Sequence, residues 1–111
     1  MDTVKNQKVK YDQPFNDGQF GSKENRIPAL YTLADGSVIA GADMRYNHGS
    51  DSPNNIDIAV AVSGDGYGDW EYVMVNHFDD YADTVTEKES ASFIDSTIVQ
   101  TETGRILMLA D

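Results

Sequence analysis

The stretch that most constrains this chain is residues 25 to 51, NRIPALYTLADGSVIAGADMRYNHGSD. Two apolar, β-favouring runs, Ile27 to Leu33 and Ser37 to Met44, flank Ala34-Asp35-Gly36. Asp-Gly between such runs is a strong hairpin signal, because glycine accepts a positive φ without a Cβ clash. A hairpin here commits the first half of the chain to an antiparallel sheet. The same stretch carries an arginine at each end of its apolar part, Arg26 and Arg45, and adds Asp51 six residues on. Charges next to a run that should be buried need partners or a ligand.

Residues 1 to 24 are polar, with Pro14, Gly18 and Gly21, and predict an extended lead-in with at most one short strand. Residues 45 to 55, RYNHGSDSPNN, are turn-formers throughout and too long for a tight hairpin; loops of this kind are more often functional than tight turns are. IDIAVAVS (56 to 63) predicts a third strand and WEYVMV (70 to 75) a fourth. Residues 76 to 90 read as a long acidic loop with no helix start signal. SFIDSTIVQ (92 to 100) and GRILMLAD (104 to 111) make another hairpin around Thr101 to Gly104. No window sustains a helical period. The expected fold class is all-β, an antiparallel meander. The expected organisation is a lead-in over residues 1–24 and a partial β domain over residues 25–111. Strands from 27 to 75 complete one up-and-down sheet, and residues 92 to 111 begin a second in the same way. A repeat that halts at Asp111 directly after ILMLA leaves an open edge and an uncovered face. The expectation is therefore a β-propeller fragment, the first blade plus about half of the second.

Composition removes several function classes. With 111 residues and a formal charge of −11, the chain lacks the basic surface that nucleic-acid binding requires. An anionic ligand would need a local cationic pocket working against the global field. The absence of cysteine excludes a disulfide framework and thiolate chemistry. No run approaches the roughly 18 apolar residues of a membrane span, and no signal-peptide core follows Met1. No metal or other cofactor is expected. His48 and His77 stand in unrelated loops and make no metal site; a loop hydrogen bond is the expected use of His48. The acidic stretch FDDYADTVTEKES lacks the glycine and ligand spacing of a calcium loop and reads as a solvated connection.

Arg26-Ile27-Pro28, the Asp-Gly hairpin, ADMRYNHGSD and an Asp-containing turn ending in Trp70 together resemble the bacterial exo-α-sialidases (neuraminidases). The resemblance runs from about Arg26 to Asp111, and its most specific part is the offset of Arg45 and Asp51 from Arg26, 19 and 25 positions. It implies a six-bladed propeller that releases terminal α-linked sialic acid from glycoconjugates with retention, in a secreted or cell-surface protein. It further implies that Arg26 belongs to a triad clamping the sugar carboxylate. Arg45 would contact the carboxylate side and the O4 hydroxyl at the rim, and Asp51 would be the general acid/base. Asp95, in FIDSTIV, would line the O4 and N-acetyl end. SGDGYGDW (63 to 70) resembles a degenerate Asp-box, with Ser63, Asp65 and Trp70 in place but Tyr67 and Asp69 where glycine and threonine are usual. In that turn Asp65 would tie backbone amides and Trp70 would pack between sheets.

The residue types suit such a substrate. Sialic acid carries a permanent carboxylate on its anomeric carbon, and a planar two-pronged guanidinium matches it better than lysine. That carboxylate repels an anionic nucleophile, so the family uses a tyrosine and stands outside the two-carboxylate scheme. An acid is still needed at the leaving oxygen, and a loop aspartate can supply it. Asp43, Asp57 and Asp65 are rival carboxylates; Asp43 and Asp57 fall inside strand patterns and read as structural. The tyrosine nucleophile, its glutamate and two further arginines match nothing in these 111 residues, so the chain alone is expected to be inactive. The other reading of the same residues is a non-catalytic carbohydrate-binding or scaffolding propeller fragment.

Overall fold

A computed structural model describes residues 12–77 and 92–111. Among the described residues, a 3-10 turn at Gln19–Gly21 is followed by β1 (Glu24–Thr32), β2 (Val38–Arg45), β3 (Ile56–Ser63), β4 (Glu71–Met74), β5 (Thr97–Gln100) and β6 (Ile106–Leu109). The first four form one sheet in sequence order and the last two form another. Every strand pair is antiparallel. The β1–β2 turn is built as the Asp-Gly signal requires. Gly36 has φ 90°, and its N–H donates to the Leu33 carbonyl at 2.9 Å. The Asp35 carboxylate accepts the Ser37 backbone N–H at 2.8 Å.

Alternation along the central strands divides the core between two faces. Ala40, Ala42 and Met44 of β2 share one face with Ala59 and Ala61 of β3, and Phe15 of the lead-in covers them. Ile39 and Val60 share the other face, where they meet Ile98 and, at the margins, Ala29, Tyr31, Leu33 and Met108. Gly41 is the point where the second sheet closes on the first. A Cβ there would stand 3.1 Å from Ser96 Oγ and 3.3 Å from Ile98 Cδ1.

One irregularity in β1 sets the geometry of everything that follows. Arg26 pairs with Asp43, but Ala29 pairs with Gly41, so three steps on β1 match two on β2. One extra residue in a strand reverses which face later side chains point to. Ile27, inside this bulge, has φ 54°, a conformation β-branched residues seldom take. The result is that Glu24 and Arg26 before the bulge share a face with Ala29 and Tyr31 after it. A charged end and an apolar end thus sit on one side of one strand.

Several expectations need correction. Leu30, placed by sequence inside a buried run, is 71% exposed and Ile27 is 39% exposed, because β1 is the edge of its sheet. The last hairpin has shorter strands than its sequence suggests. Ser92 and Phe93 run alongside the first sheet: Ser92 bridges in parallel to Ile56, and Phe93 N–H donates to the Ile56 carbonyl at 3.1 Å, while Ile94 still exchanges backbone hydrogen bonds with Asp111 beyond the regular strands. Trp70 lies just before β4 and packs on the cluster that holds Phe15, with its Nε1 donating to Asp12 at 2.9 Å. It therefore stands between sheet and lead-in, not between two sheets. The turn before it is tied as expected: Asp65 Oδ1 accepts Tyr67 N–H at 2.8 Å, and Ser63 Oγ donates to the Gly68 carbonyl at 2.6 Å. The acidic stretch FDDYADTVTEKES lies outside the described residues.

Candidate active site

Arg45 ends β2 with no exposed surface. Its Nη2 meets Asp43 Oδ2 at 2.9 Å and its Nη1 meets Asp51 Oδ1 at 2.8 Å. The same Nη1 donates to the Gly49 carbonyl at 3.0 Å. Arg26 reaches that carbonyl from β1, its Nη1 donating at 2.9 Å. Two guanidinium groups therefore converge on one neutral oxygen beside a carboxylate. The Asp51 side chain is 71% exposed and forms the outer part of the cluster. Asp95 is exposed on the approach to β5; its backbone N–H, not its carboxylate, joins the group by donating to Asp43 Oδ1 at 3.3 Å. Arg45 and Asp51 are thus in direct contact, Arg26 joins them through the shared Gly49 carbonyl, and Asp95 joins through Asp43.

The loop that delivers Asp51 is held by amides. Asn47 N–H donates to Asn54 Oδ1 at 3.0 Å, and Asn55 N–H donates to Asn47 Oδ1 at 2.7 Å. The buried Asn54 Nδ2 donates to the carbonyls of His48 at 2.7 Å and Ser50 at 2.8 Å. His48 Nδ1 accepts Ser50 N–H at 3.1 Å, which assigns the donor role toward the Pro53 carbonyl, 3.0 Å away, to Nε2. The Ser92 hydroxyl donates to the Asn54 carbonyl and ties the loop to the second sheet's approach. At Gly49 a Cβ would fall 2.1 Å from Glu24 Oε2. A side chain there would push aside the exposed Glu24 carboxylate, which packs where the loop offers its carbonyl to both arginines.

Burial pushes the Asp43 carboxyl above its ordinary range, and the Arg45 guanidinium opposes that push. Burial also works against the charge on Arg45, but Asp43 and Asp51 outweigh it and hold the guanidinium protonated. A second buried carboxylate, Asp57, lies on the other face of the sheet. It accepts from the Tyr46 hydroxyl at 2.9 Å and contacts His77 Nδ1 at 2.8 Å. Burial first, then the Asp57 charge, raises the Tyr46 phenol well above its ordinary value.

Asp43, read from sequence as structural, belongs to the arginine cluster. The signal was present: it stands two residues before Arg45, and a period of two puts both on one face. Glu24 was not singled out, and its place opposite Arg45 depends on a pairing register that sequence does not display. The Gly49 carbonyl could not have been found, since a backbone acceptor leaves no mark in residue type. Chemically, the arrangement can bind an anionic oxygen and move a proton beside it. Among the described residues no group of His, Cys, Asp or Glu is placed to hold a metal ion, and no helix is long and apolar enough to cross a membrane.

No family model matches the chain. Individual proteins do. A sialidase of Paraclostridium sordellii is 40% identical over 95 residues, covering 86% of this chain and 22% of that protein. Sialidase B of Streptococcus pneumoniae is 37% identical over 78% of this chain and 14% of its own length. The anhydrosialidase of Macrobdella decora is 39% identical over 78% of this chain and 13% of its own. Among solved structures, the NanB sialidase of Streptococcus pneumoniae superposes with TM-score 0.74 and 32% identity, over 90% of this chain and 18% of that one. A leech intramolecular trans-sialidase, in complex with 2,7-anhydro-Neu5Ac, also gives TM-score 0.74 at 32% identity, over 92% and 17%. The chain spans about a fifth or less of these relatives.

Proposed function

Because the chain is homologous to a segment of larger sialidases, we propose that it supplies the acid/base part of an exo-α-sialidase active site. The enzyme would release terminal α-linked sialic acid from glycoconjugates with retention. In this reading the two sheets are the first blade and about half of the second blade of a six-bladed propeller. Residues 1–24 are its lead-in, and the turn from 63 to 70 is a degenerate Asp-box.

The observation that carries the proposal is the convergence of Arg26 and Arg45 on the Gly49 carbonyl, 2.9 and 3.0 Å away. A carbonyl oxygen offers two guanidinium groups only a partial charge, whereas a carboxylate in its place adds a full opposite charge and can accept from the planar fork with both oxygens. Arg26, the more accessible of the two, binds the sugar carboxylate. Arg45 stands behind it at the O4 side, and Asp51 protonates the departing glycosidic oxygen and later deprotonates water. Asp95 borders the O4 and N-acetyl end. Tyr46 is no nucleophile for this site, because its hydroxyl is bonded to Asp57 on the opposite face of the sheet. The nucleophile and the rest of the carboxylate clamp must come from other parts of such an enzyme, so the 111 residues alone are inactive. Its substrates, the sialylated glycans, are displayed outside cells, which makes the enzyme secreted or cell-surface.

The test replaces the homologous segment of Streptococcus pneumoniae sialidase B with this chain. Hydrolysis of sialosides by the folded hybrid is the expected result. A folded hybrid that binds sialosides without hydrolysing them would favour the carbohydrate-binding reading instead.

A further inference from the structure

Asp43 touches two separate parts of the candidate site. Its Oδ2 accepts from Arg45 Nη2 at 2.9 Å, and its Oδ1 accepts the Asp95 backbone N–H at 3.3 Å. Arg45 in turn holds Asp51 at 2.8 Å through its other terminal nitrogen. Asp95 has φ 62°, a left-handed conformation that is uncommon for side-chain-bearing residues, though less so for Asp, and that neighbouring restraints help to hold. The Asp43 carboxylate supplies one such restraint. Backbone hydrogen bonds between Ile94 and Asp111, at 3.1 and 2.8 Å, supply another.

Asp43 has no exposed surface. A buried carboxylate is costly even when paired, and an apolar side chain of similar size fills such a position at least as well where packing alone matters. Ile58, its partner on β3, and Gly41 and Ile39, further along its own face, put Asp43 at the border between the charged and the apolar end of this side of the sheet. The charged groups facing Asp43 are Arg26 opposite it on β1, Arg45 on its own strand and Asp95 from the second sheet's approach.

We propose that Asp43 is a positioning residue of the site, orienting the Arg45 guanidinium toward Asp51 and fixing the turn at Asp95. Its single carboxylate then sets the spacing between the acid/base group on the first sheet and the far wall of the pocket on the second. The roles of Asp51 and Asp95 rest on the sialidase reading; the coupling itself rests on the geometry.

The test is nuclear magnetic resonance on the 111-residue chain. Asp43→Asn keeps the shape and removes the charge. It should free the slowed rotation of the Arg45 guanidinium and speed Asp95 amide exchange by about tenfold, the scale of one lost hydrogen bond. Asp57→Asn, equally buried on the other face, should leave both signals in place. Unchanged Arg45 and Asp95 signals in folded Asp43→Asn would overturn the proposal, as would equal disturbance by Asp57→Asn. Should Asp43→Asn not fold, acidification of the unsubstituted chain decides. Whatever other steps they show, Arg45 Nη and the Asp95 amide must then each show one at the midpoint of the Asp43 carboxyl carbon, and the lack of that step in either would overturn the coupling. In the sialidase B hybrid, Asp43→Asn should lower turnover on the order of 10²-fold, as misplaced catalytic groups do. Full turnover would remove the positioning role. An inactive unsubstituted hybrid would instead count against the sialidase reading, with the Arg45 and Asp95 signals still deciding the coupling.

Discussion

Arg26 and Arg45 differ in what surrounds them, and the difference separates their roles. Arg45 is buried with two carboxylates and a carbonyl around it, while Arg26 is exposed and hydrogen-bonded to the Gly49 carbonyl. Arg26→Lys keeps the charge and loses the planar fork. In the sialidase B hybrid it should weaken binding of a sialic acid analogue by about 1.5–3 kcal/mol, the scale of a charge-assisted hydrogen bond; calorimetry giving wild-type affinity would return Arg26 to an ordinary surface role. Tyr46 offers a pH test on the other face. Its phenol is raised by burial and by Asp57, so above about pH 10 the unfolded chain releases a proton that the folded chain keeps. Stability should therefore fall as pH rises through that window. Tyr46→Phe should flatten this alkaline slope in denaturation curves, and an unchanged slope would show that the phenol does not cause it. At this scale the sequence was informative where chemistry resides in residue type: Arg26, Arg45 and Asp51 do meet. It was silent where chemistry resides in a backbone carbonyl, as at Gly49.

Strands β2 and β3 were legible almost to the residue, because both faces are buried and both runs are mostly apolar, with Asp43, Arg45 and Asp57 as the buried charged exceptions. β1 was misread in exposure, since an edge strand satisfies the same apolar pattern while leaving Leu30 in solvent. The bulge at Ile27 and Pro28 was not legible as such: it follows from pairing with β2, not from the composition of β1. Yet the bulge is what puts Arg26 on the face of Asp43 and Arg45. Packing between the two sheets depends on Gly41, whose neighbours stand where a side chain would go. Gly41→Val should force the second sheet outward and cost about 1–3 kcal/mol, as overpacking usually does. Amides of β5 should lose protection before those of β3. A folded variant with wild-type stability would show that the sheets are not closed at this point.

At the scale of the molecule, the two sheets expose apolar side chains among the described residues. Val99, Leu107 and Leu109 of the second sheet are exposed, as are Val73 and Val75 at and beyond β4. Apolar area left in water forfeits roughly 25 cal/mol per Å², and open strand edges invite pairing between copies. Sedimentation of the 111-residue chain should reveal association that grows with concentration. A monomer at all concentrations that melts sharply, with protected β5 and β6 amides, would mark a self-sufficient domain and remove the propeller-fragment reading. The account as a whole turns on Asp51 as the proton donor beside a carboxylate clamp. Its most direct test is the leaving-group dependence of Asp51→Asn in the sialidase B hybrid. Turnover of natural sialosides should fall about 10²–10⁴-fold, the usual scale of general acid–base work. A nitrophenyl sialoside, whose leaving group departs with little protonation, should lose far less. Equal losses on both substrates would contradict the assignment of Asp51 as the acid.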